Sequence, residues 1–198
     1  MDKHFGKYDK QELPELDVLK KELKRERSRR RFRRLLRSTV NALIVVAAVA
    51  ALIATLVLPV LQIAGTSMEP SLNDGDIVLL VKTTDLDTGD LCAFYYSNKI
   101  LIKRVIATPG DYIWIESDGT VFLNGEALDE PYVSEKALGE CDVEFPYQVP
   151  ENNYFVMGDH RETSIDSRSS VIGCISQDQF LGKIFCKIWP LSEFDWIG

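Results

Sequence analysis

The sequence predicts an all-β extracytoplasmic domain of mostly antiparallel sheets, preceded by one N-terminal transmembrane helix. Three observations predict it. No charged residue occurs from Ser38 to Met68, a run of 31 positions. Residues 1–41 hold 14 Lys and Arg against 7 Asp and Glu, a balance of +7, whereas residues 64–198 hold 9 against 23, a balance of −14. Beyond the neutral run the pattern changes to short apolar segments separated by turn residues. A hydrophobic share of 45% excludes a fully disordered chain, and 198 residues suit one domain of ordinary size.

The chain divides into residues 1–37, a basic tail ending in a dense cationic arm; residues 38–61, the span; and residues 62–198, the outer domain. The span's centre is Ala42–Leu61, ALIVVAAVAALIATLVLPVL, interrupted by Thr55 and Pro59 alone. About 20 helical residues cross the ~30 Å hydrocarbon layer. A buried core helix is normally shorter and amphipathic. A cleaved leader has a shorter apolar core, and Gln62 stands where cleavage after Ala64 calls for a small residue. Eleven bases from Lys20 to Arg37 precede the span, and Lys82 is the first base after it. The positive-inside rule therefore places the N-terminus in the cytoplasm and residues 62–198 outside, as a single-pass protein of the cell membrane. Beside a span, such an arm fits anionic lipid headgroups better than nucleic acid. The expected partner there is the lipid bilayer, with no nucleic acid. The first 19 residues read as a mobile polar tail.

Strands are expected at Ile77–Val81, Leu91–Tyr96, Ile100–Ala107, Tyr112–Ile115, Val121–Leu123, Tyr154–Met157 and Ile184–Trp189. Turns fall at Asn73–Asp76, Thr88–Asp90, Pro109–Asp111, Asp118–Gly119 and Asn124–Gly125, where Gly, Asn and Asp tolerate positive φ. Residues 126–153 are acidic and contain Pro, and read as an irregular loop or subdomain. Cys92, Cys141, Cys174 and Cys186 all lie in the outer part. An exterior location permits disulfides; the alternative is that three of them are small hydrophobes in strands. Their spacing fits no zinc site, and no cofactor or metal is expected.

The available chemistry is narrow. His4 and His160 are the two histidines, and His4 falls on the cytoplasmic side. A base other than histidine is therefore the better candidate. Lys103 shares a strand face with Leu101, Val105 and Ala107, while Arg104 shares the other with Ile102 and Ile106. A lysine buried without a carboxylate loses the preference for its charged form and becomes able to take a proton. The competing reading makes Lys103 and Arg104 guards on an exposed edge strand. Ser67, in the segment Gly65–Leu72, is the candidate nucleophile; Gly65 permits close backbone approach and Pro70 fixes the turn. The segment Met157–Arg168, MGDHRETSIDSR, is dense in carboxylates and guanidiniums that can lock a loop by bidentate contacts.

Together, Gly65–Leu72, Tyr96–Asp111 (above all Ile102–Asp111) and Met157–Arg168 resemble the bacterial type I signal peptidases, the membrane-anchored Ser/Lys proteases. Asp76–Leu80, Asn124–Tyr132 and Gly182–Pro190 also resemble family segments, so that the likeness covers nearly all of residues 38–190. The resemblance implies Ser67 as nucleophile, Lys103 as general base and Ser164 as the hydroxyl that orients the lysine. It implies Asp166 and Arg168 as a structural ion pair, with Asp159 and Arg161 framing the loop. The Ser67 N–H would be one oxyanion donor, and Leu61, Gln62 and Ile63 the edge on which substrate docks as an added strand. Gly65 departs from members that carry a serine there as second oxyanion donor, leaving a water or the Thr66 hydroxyl as alternatives. His160 stands for the commoner Asn, and Glu162–Thr163 for Asp–Asn. The short outer domain resembles the compact Gram-positive form.

The implied activity is removal of signal peptides from exported preproteins, after small residues, by a monomeric serine endopeptidase. Three rivals remain from the residues alone. A non-catalytic membrane-anchored β module predicts no effect of Ser67→Ala. A soluble Ser/Lys self-cleaving repressor conflicts with the uncharged run. A sortase-type transpeptidase needs His160 to partner a cysteine.

Overall fold

The structure is a computed structural model and describes residues 16–57 and 59–197. Residues 1–15, most of the expected polar tail, lie outside the described residues. Its elements are the helix α1 (Leu16–Val57) and twelve strands among the described residues: β1 (Val60–Gln62), β2 (Ile77–Val81), β3 (Leu91–Tyr96), β4 (Lys99–Ala107), β5 (Tyr112–Ile115), β6 (Val121–Leu123), β7 (Glu126–Ala127), β8 (Tyr147–Gln148), β9 (Asn153–Met157), β10 (Ile175–Ser176), β11 (Phe180–Trp189) and β12 (Asp195–Trp196). Two short 3-10 turns flank β11.

The helix α1 is continuous for 42 residues, about 63 Å at ~1.5 Å per residue. Its first half is rich in Lys, Arg and Glu, good helix formers, and its second in Ala, Leu and Val. It contains a stretch long and apolar enough to cross a membrane, with a mean hydropathy of 2.0 over 18 residues. Leu43, Ile44, Val45, Val46 and Leu52 are exposed, which is not how a core helix behaves. The helix is shorter at its end than the span expected over residues 38–61. It stops at Val57, and Val60 and Leu61 belong to β1. Pro59 explains the break, since it has no N–H to continue the ladder.

Residues 53–198 form a separate compact unit. Every strand pairing in it is antiparallel. The larger sheet runs in the order β1-β2-β11-β3-β4-β9-β10, with β12 also on β11, and the smaller in the order β7-β6-β5-β8. All seven expected strands are present. β11 begins at Phe180 rather than Ile184, and Gly182 hid its first half, because glycine weakens a strand pattern. A Cβ at Gly182 would collide with the carbonyl oxygen of Val81, so glycine lets β2 and β11 approach. The strands β1, β7, β8, β10 and β12 hold two or three residues each, too few to show alternation.

Three apolar clusters hold this unit. Ile63, Met68, Leu72, Val78, Leu80, Leu91, Ala93 and Ile184 form the first, which anchors the segment around Ser67. Leu86, Phe94, Val105, Val156 and Phe180 centre the second. The third, with Ile106, Ile113, Ile115, Val121, Phe155 and Met157, joins the smaller sheet to the larger. All four cysteines are free, so the permitted disulfides do not form. Cys92 in β3 and Cys186 in β11 are buried as small hydrophobes; Cys174 precedes β10 and meets the Tyr147 hydroxyl at 3.6 Å.

Candidate active site

The segment carrying Ser67 follows β1 and is held from both sides. The turn between β1 and β2 clasps it: the Ile63 N–H donates to Asp76 O (2.8 Å), the Gly75 N–H to Ile63 O (3.0 Å) and the Gly65 N–H to the Asp74 carboxylate (2.7 Å). Gly65 adopts φ of +94°, the conformation that reverses the chain towards Ser67. Immediately after Ser67, the chain makes one turn, with Leu72 N–H donating to Met68 O (2.9 Å). Met68 (2% exposed) and Leu72 (0%) are pegs in the core, so the serine between glycine and peg has little freedom.

Lys103 lies in β4, which pairs with β3 on one side and β9 on the other. Pairing with β9 begins at Arg104, so among the described residues Lys103 has β3 alone beside it, but the two residues are 4% and 7% exposed, and the reading of them as exposed guards fails. The Lys103 Nζ lies within hydrogen-bond distance of Ser67 Oγ and of Ser164 Oγ, each at 2.9 Å. No carboxylate lies within ion-pair distance of it among the described residues. Burial pushes the Lys103 amine below the usual lysine value; Asp166 and Asp159 pull it back, and Arg168 opposes them.

Ser164 arrives on the loop after β9. Gly158 makes room for it: a Cβ there would strike Ser164 Oγ and stand 2.5 Å from Ser164 Cβ and 2.6 Å from Ser67 O. The His160 N–H donates to Ser67 O (3.1 Å), and the Ser164 N–H to His160 O (3.2 Å), so the backbone of one residue links the two serines. Asp166 takes Arg168 Nε on Oδ1 and Nη2 on Oδ2, both at 2.8 Å, and also accepts the Gly158 N–H at 2.9 Å. Asp159 forms a two-point pair with Arg104 (2.8 and 2.6 Å).

A cleft of about 120 Å³ opens beside Ser67 and Lys103. Its walls are residues 61–65 on one side and residues 100–103 on the other. Leu61, Gln62 and Ile63 thus line it, and β1 is paired only with β2 among the described residues. A larger hollow of about 380 Å³ on the smaller sheet, lined by Tyr112, Trp114, Phe122 and Glu116 among others, brings no nucleophile and base together.

A family profile described as signal peptidase, peptidase S26, matches residues 36–189. The chain belongs to this family. Signal peptidase IB of Staphylococcus aureus (strain N315) is 37% identical over 152 residues, which is 67% of this chain and 78% of that protein. Signal peptidase I of Bacillus licheniformis is 35% identical over 144 residues, 66% of this chain and 76% of that one. A solved signal peptidase I from Enterococcus faecalis V583 shares 28% identity, covering 50% of this chain and 96% of that chain with a TM-score of 0.41. The S26 signal peptidases are serine endopeptidases, and this chain is one of them.

In this S26 peptidase the expected residues Ser67, Lys103 and Ser164 meet directly, and Asp166 pairs with Arg168. Asp159 and Arg161 each sit in a buried ion pair, with partners the sequence reading did not name. Arg104 holds Asp159, and Arg104 Cζ lies 3.9 Å from the centre of the Tyr132 ring. Glu130 holds Arg161 from within the stretch read as an irregular loop. That stretch does more: Leu138 O and Ala137 O accept from Arg168 Nη1 (2.7 and 3.3 Å), and Asp142 accepts from Ser170. The available signal was Glu130 and Tyr132 themselves, a carboxylate and a phenol flanking Pro131 in a segment otherwise bound for the surface.

Proposed function

We propose that this chain is a membrane-anchored signal peptidase that uses Ser67 as nucleophile and neutral Lys103 as general base. Signal peptidases of this family remove signal peptides by serine peptidase chemistry, and exported preproteins are the substrates. The observation that carries the reading is the 2.9 Å contact of Lys103 Nζ with both Ser67 Oγ and Ser164 Oγ, in a site where burial favours the uncharged amine.

In the neutral form Nζ has two N–H groups and one lone pair. One N–H donates to Ser164, which turns the lone pair towards the Ser67 O–H. Ser67 gives its proton to Lys103 and attacks the scissile carbonyl carbon. The oxyanion is met by the Ser67 N–H, which has no protein partner among the described residues; preorganised donors of this kind stabilise charge as it develops. Lys103 then protonates the leaving amine. Finally it takes a proton from the water that attacks the acyl-enzyme. Substrate lies in the cleft as a strand added to the free edge of β1, along Leu61, Gln62 and Ile63. Asp159, Arg161, Asp166 and Arg168 hold the loop that presents Ser164. The protein acts as a monomer.

The anchor is the apolar half of α1, with residues 1–37 in the cytoplasm and residues 62–198 outside the cell membrane. The eleven bases before the apolar run support that orientation. A cleavage assay on a preprotein with wild type, Ser67→Ala, Lys103→Ala and Lys103→Arg tests the chemistry. All three variants are expected to lose cleavage, and full activity in any one refutes the dyad. Lys103→Arg is the sharpest, since arginine keeps the charge but cannot serve as a neutral base.

A further inference from the structure

Gly158 is the floor of the site. Its α-carbon is packed against Ser164 Oγ and against the carbonyl of Ser67, with no space for a side chain. Any shift of this peptide therefore moves both partners of Lys103. Gly158 is gripped at both ends. Its N–H donates to Asp166 Oδ2 (2.9 Å), and its C=O accepts from Arg161 Nε (3.1 Å). The first grip belongs to the Asp166–Arg168 pair. The second depends on Arg161, whose other two nitrogens both go to Glu130.

Glu130 and Arg161 have side chains without solvent exposure. Two parallel N–H···O bonds in such a place fix the guanidinium plane and with it the direction of Nε. Glu130 is itself oriented, because the Tyr132 hydroxyl donates to its Oε1 (3.1 Å). The ring of the same tyrosine lies against the Arg104 guanidinium that holds Asp159, the residue next to Gly158. One short strap, residues 130–132, thus braces the Gly158–Asp159 unit through two arginines. Neither Glu130 nor Tyr132 touches Ser67, Lys103 or Ser164.

We propose that Glu130 is a positioning residue for the cleavage reaction: through Arg161 it fixes the Gly158 peptide on which Ser164 and Ser67 are seated around Lys103. The proposal rests on the Ser67–Lys103 reading and adds a residue from outside the segments that carry it. It separates two roles that a buried ion pair can have. A role in folding alone lowers the amount of folded enzyme and leaves each folded molecule fully active. A positioning role slows the chemical step in molecules that remain folded, and leaves substrate affinity alone because the cleft walls at residues 61–65 and 100–103 are untouched.

The test uses the full chain in detergent with a preprotein substrate. It compares wild type, Ser67→Ala, Glu130→Gln and Tyr132→Phe well below their unfolding midpoints, with the folded fraction taken from circular dichroism. Glu130→Gln is expected to lower kcat per folded molecule by about 10- to 100-fold, since misplacement by ~1 Å costs about 100-fold, with KM unchanged. Tyr132→Phe keeps the ring against Arg104 and removes only the hydroxyl on Glu130, so its kcat falls less and its KM is also unchanged. Loss of one partner from a buried pair destabilises a fold, and if Glu130→Gln does not fold, Tyr132→Phe decides. Wild-type kcat per folded molecule in the deciding variant, or a change confined to KM, overturns the positioning role. That failure is distinct from failure of the dyad, which shows as cleavage by Ser67→Ala or no cleavage by wild type.

Discussion

Gly158→Ala is the most economical probe of the site, because it adds one methyl group and removes nothing. The added Cβ would lie 2.5 Å from Ser164 Cβ and 2.6 Å from Ser67 O, where ordinary contacts begin at 3.4 Å. Relief requires displacements of about 0.9 and 0.8 Å, whichever side yields. Both neighbours bond through the lysine or beside it. If Ser164 takes up its share along the line to Lys103, a 2.9 Å bond opens to about 3.8 Å, too long to hold the amine. Displacement of ~1 Å costs about 100-fold in rate, or roughly 2.7 kcal/mol of barrier. The overpacked methyl costs a further ~1–3 kcal/mol of stability. Cleavage of a preprotein, with kcat separated from KM, and thermal unfolding of the same sample are the assays. A folded Gly158→Ala enzyme with wild-type kcat would refute the claim that the seats of Ser67 and Ser164 are fixed by this contact.

Two further outcomes follow from the same structure. Burial depresses the Lys103 amine, so the active, neutral form persists below the ordinary lysine range and activity is lost only as pH falls through the lowered pKa; kcat/KM measured from acid to neutral pH should show that limb, and a flat profile contradicts a lysine base. The four cysteines are free, so a thiol reductant should leave both the unfolding midpoint and the cleavage rate unchanged; a lower midpoint in reductant would reveal a bridge.

What the sequence made legible was what a local pattern can carry. The seven strands of alternating or continuous apolar residues were all readable, whereas the apolar residues on both faces of the Lys103 strand left burial and an exposed edge both open. The end of the helix was misread by a few positions, because a hydropathy run does not show where Val60 and Leu61 leave the helix to pair with β2. Partner choice was the larger loss. Arg104 and Asp159 stand 55 positions apart, and Glu130 and Arg161 stand 31 apart, so no periodicity links them. Gly158 was equally silent. Its φ is not in the left-handed region, and the reason for glycine there is crowding by Ser164 and Ser67, which appears only once the chain has folded.

The outer part of the chain carries a balance of −14, yet its central lysine is held towards the neutral state. The arrangement of the arginines resolves this. An acidic neighbour in contact with Nζ would hold the ammonium form. The three carboxylates buried in and behind the loop that carries Ser164 are each committed elsewhere: Asp159 to Arg104, Glu130 to Arg161 and Asp166 to Arg168. Guanidinium suits this task because it stays charged at any pH the protein meets and takes a carboxylate on two parallel bonds. The pairs cancel one another's long-range fields, as the opposed effects of Asp166 and Arg168 on Lys103 illustrate. Exposed acids farther out are screened by salt within about 8–10 Å. At Nζ itself the contacts are two hydroxyl groups, and desolvation is the largest influence on it, opposed in part by the fields of Asp166 and Asp159. The ion pairs therefore keep the nearby buried carboxylates out of contact with Nζ, where they would hold the ammonium form.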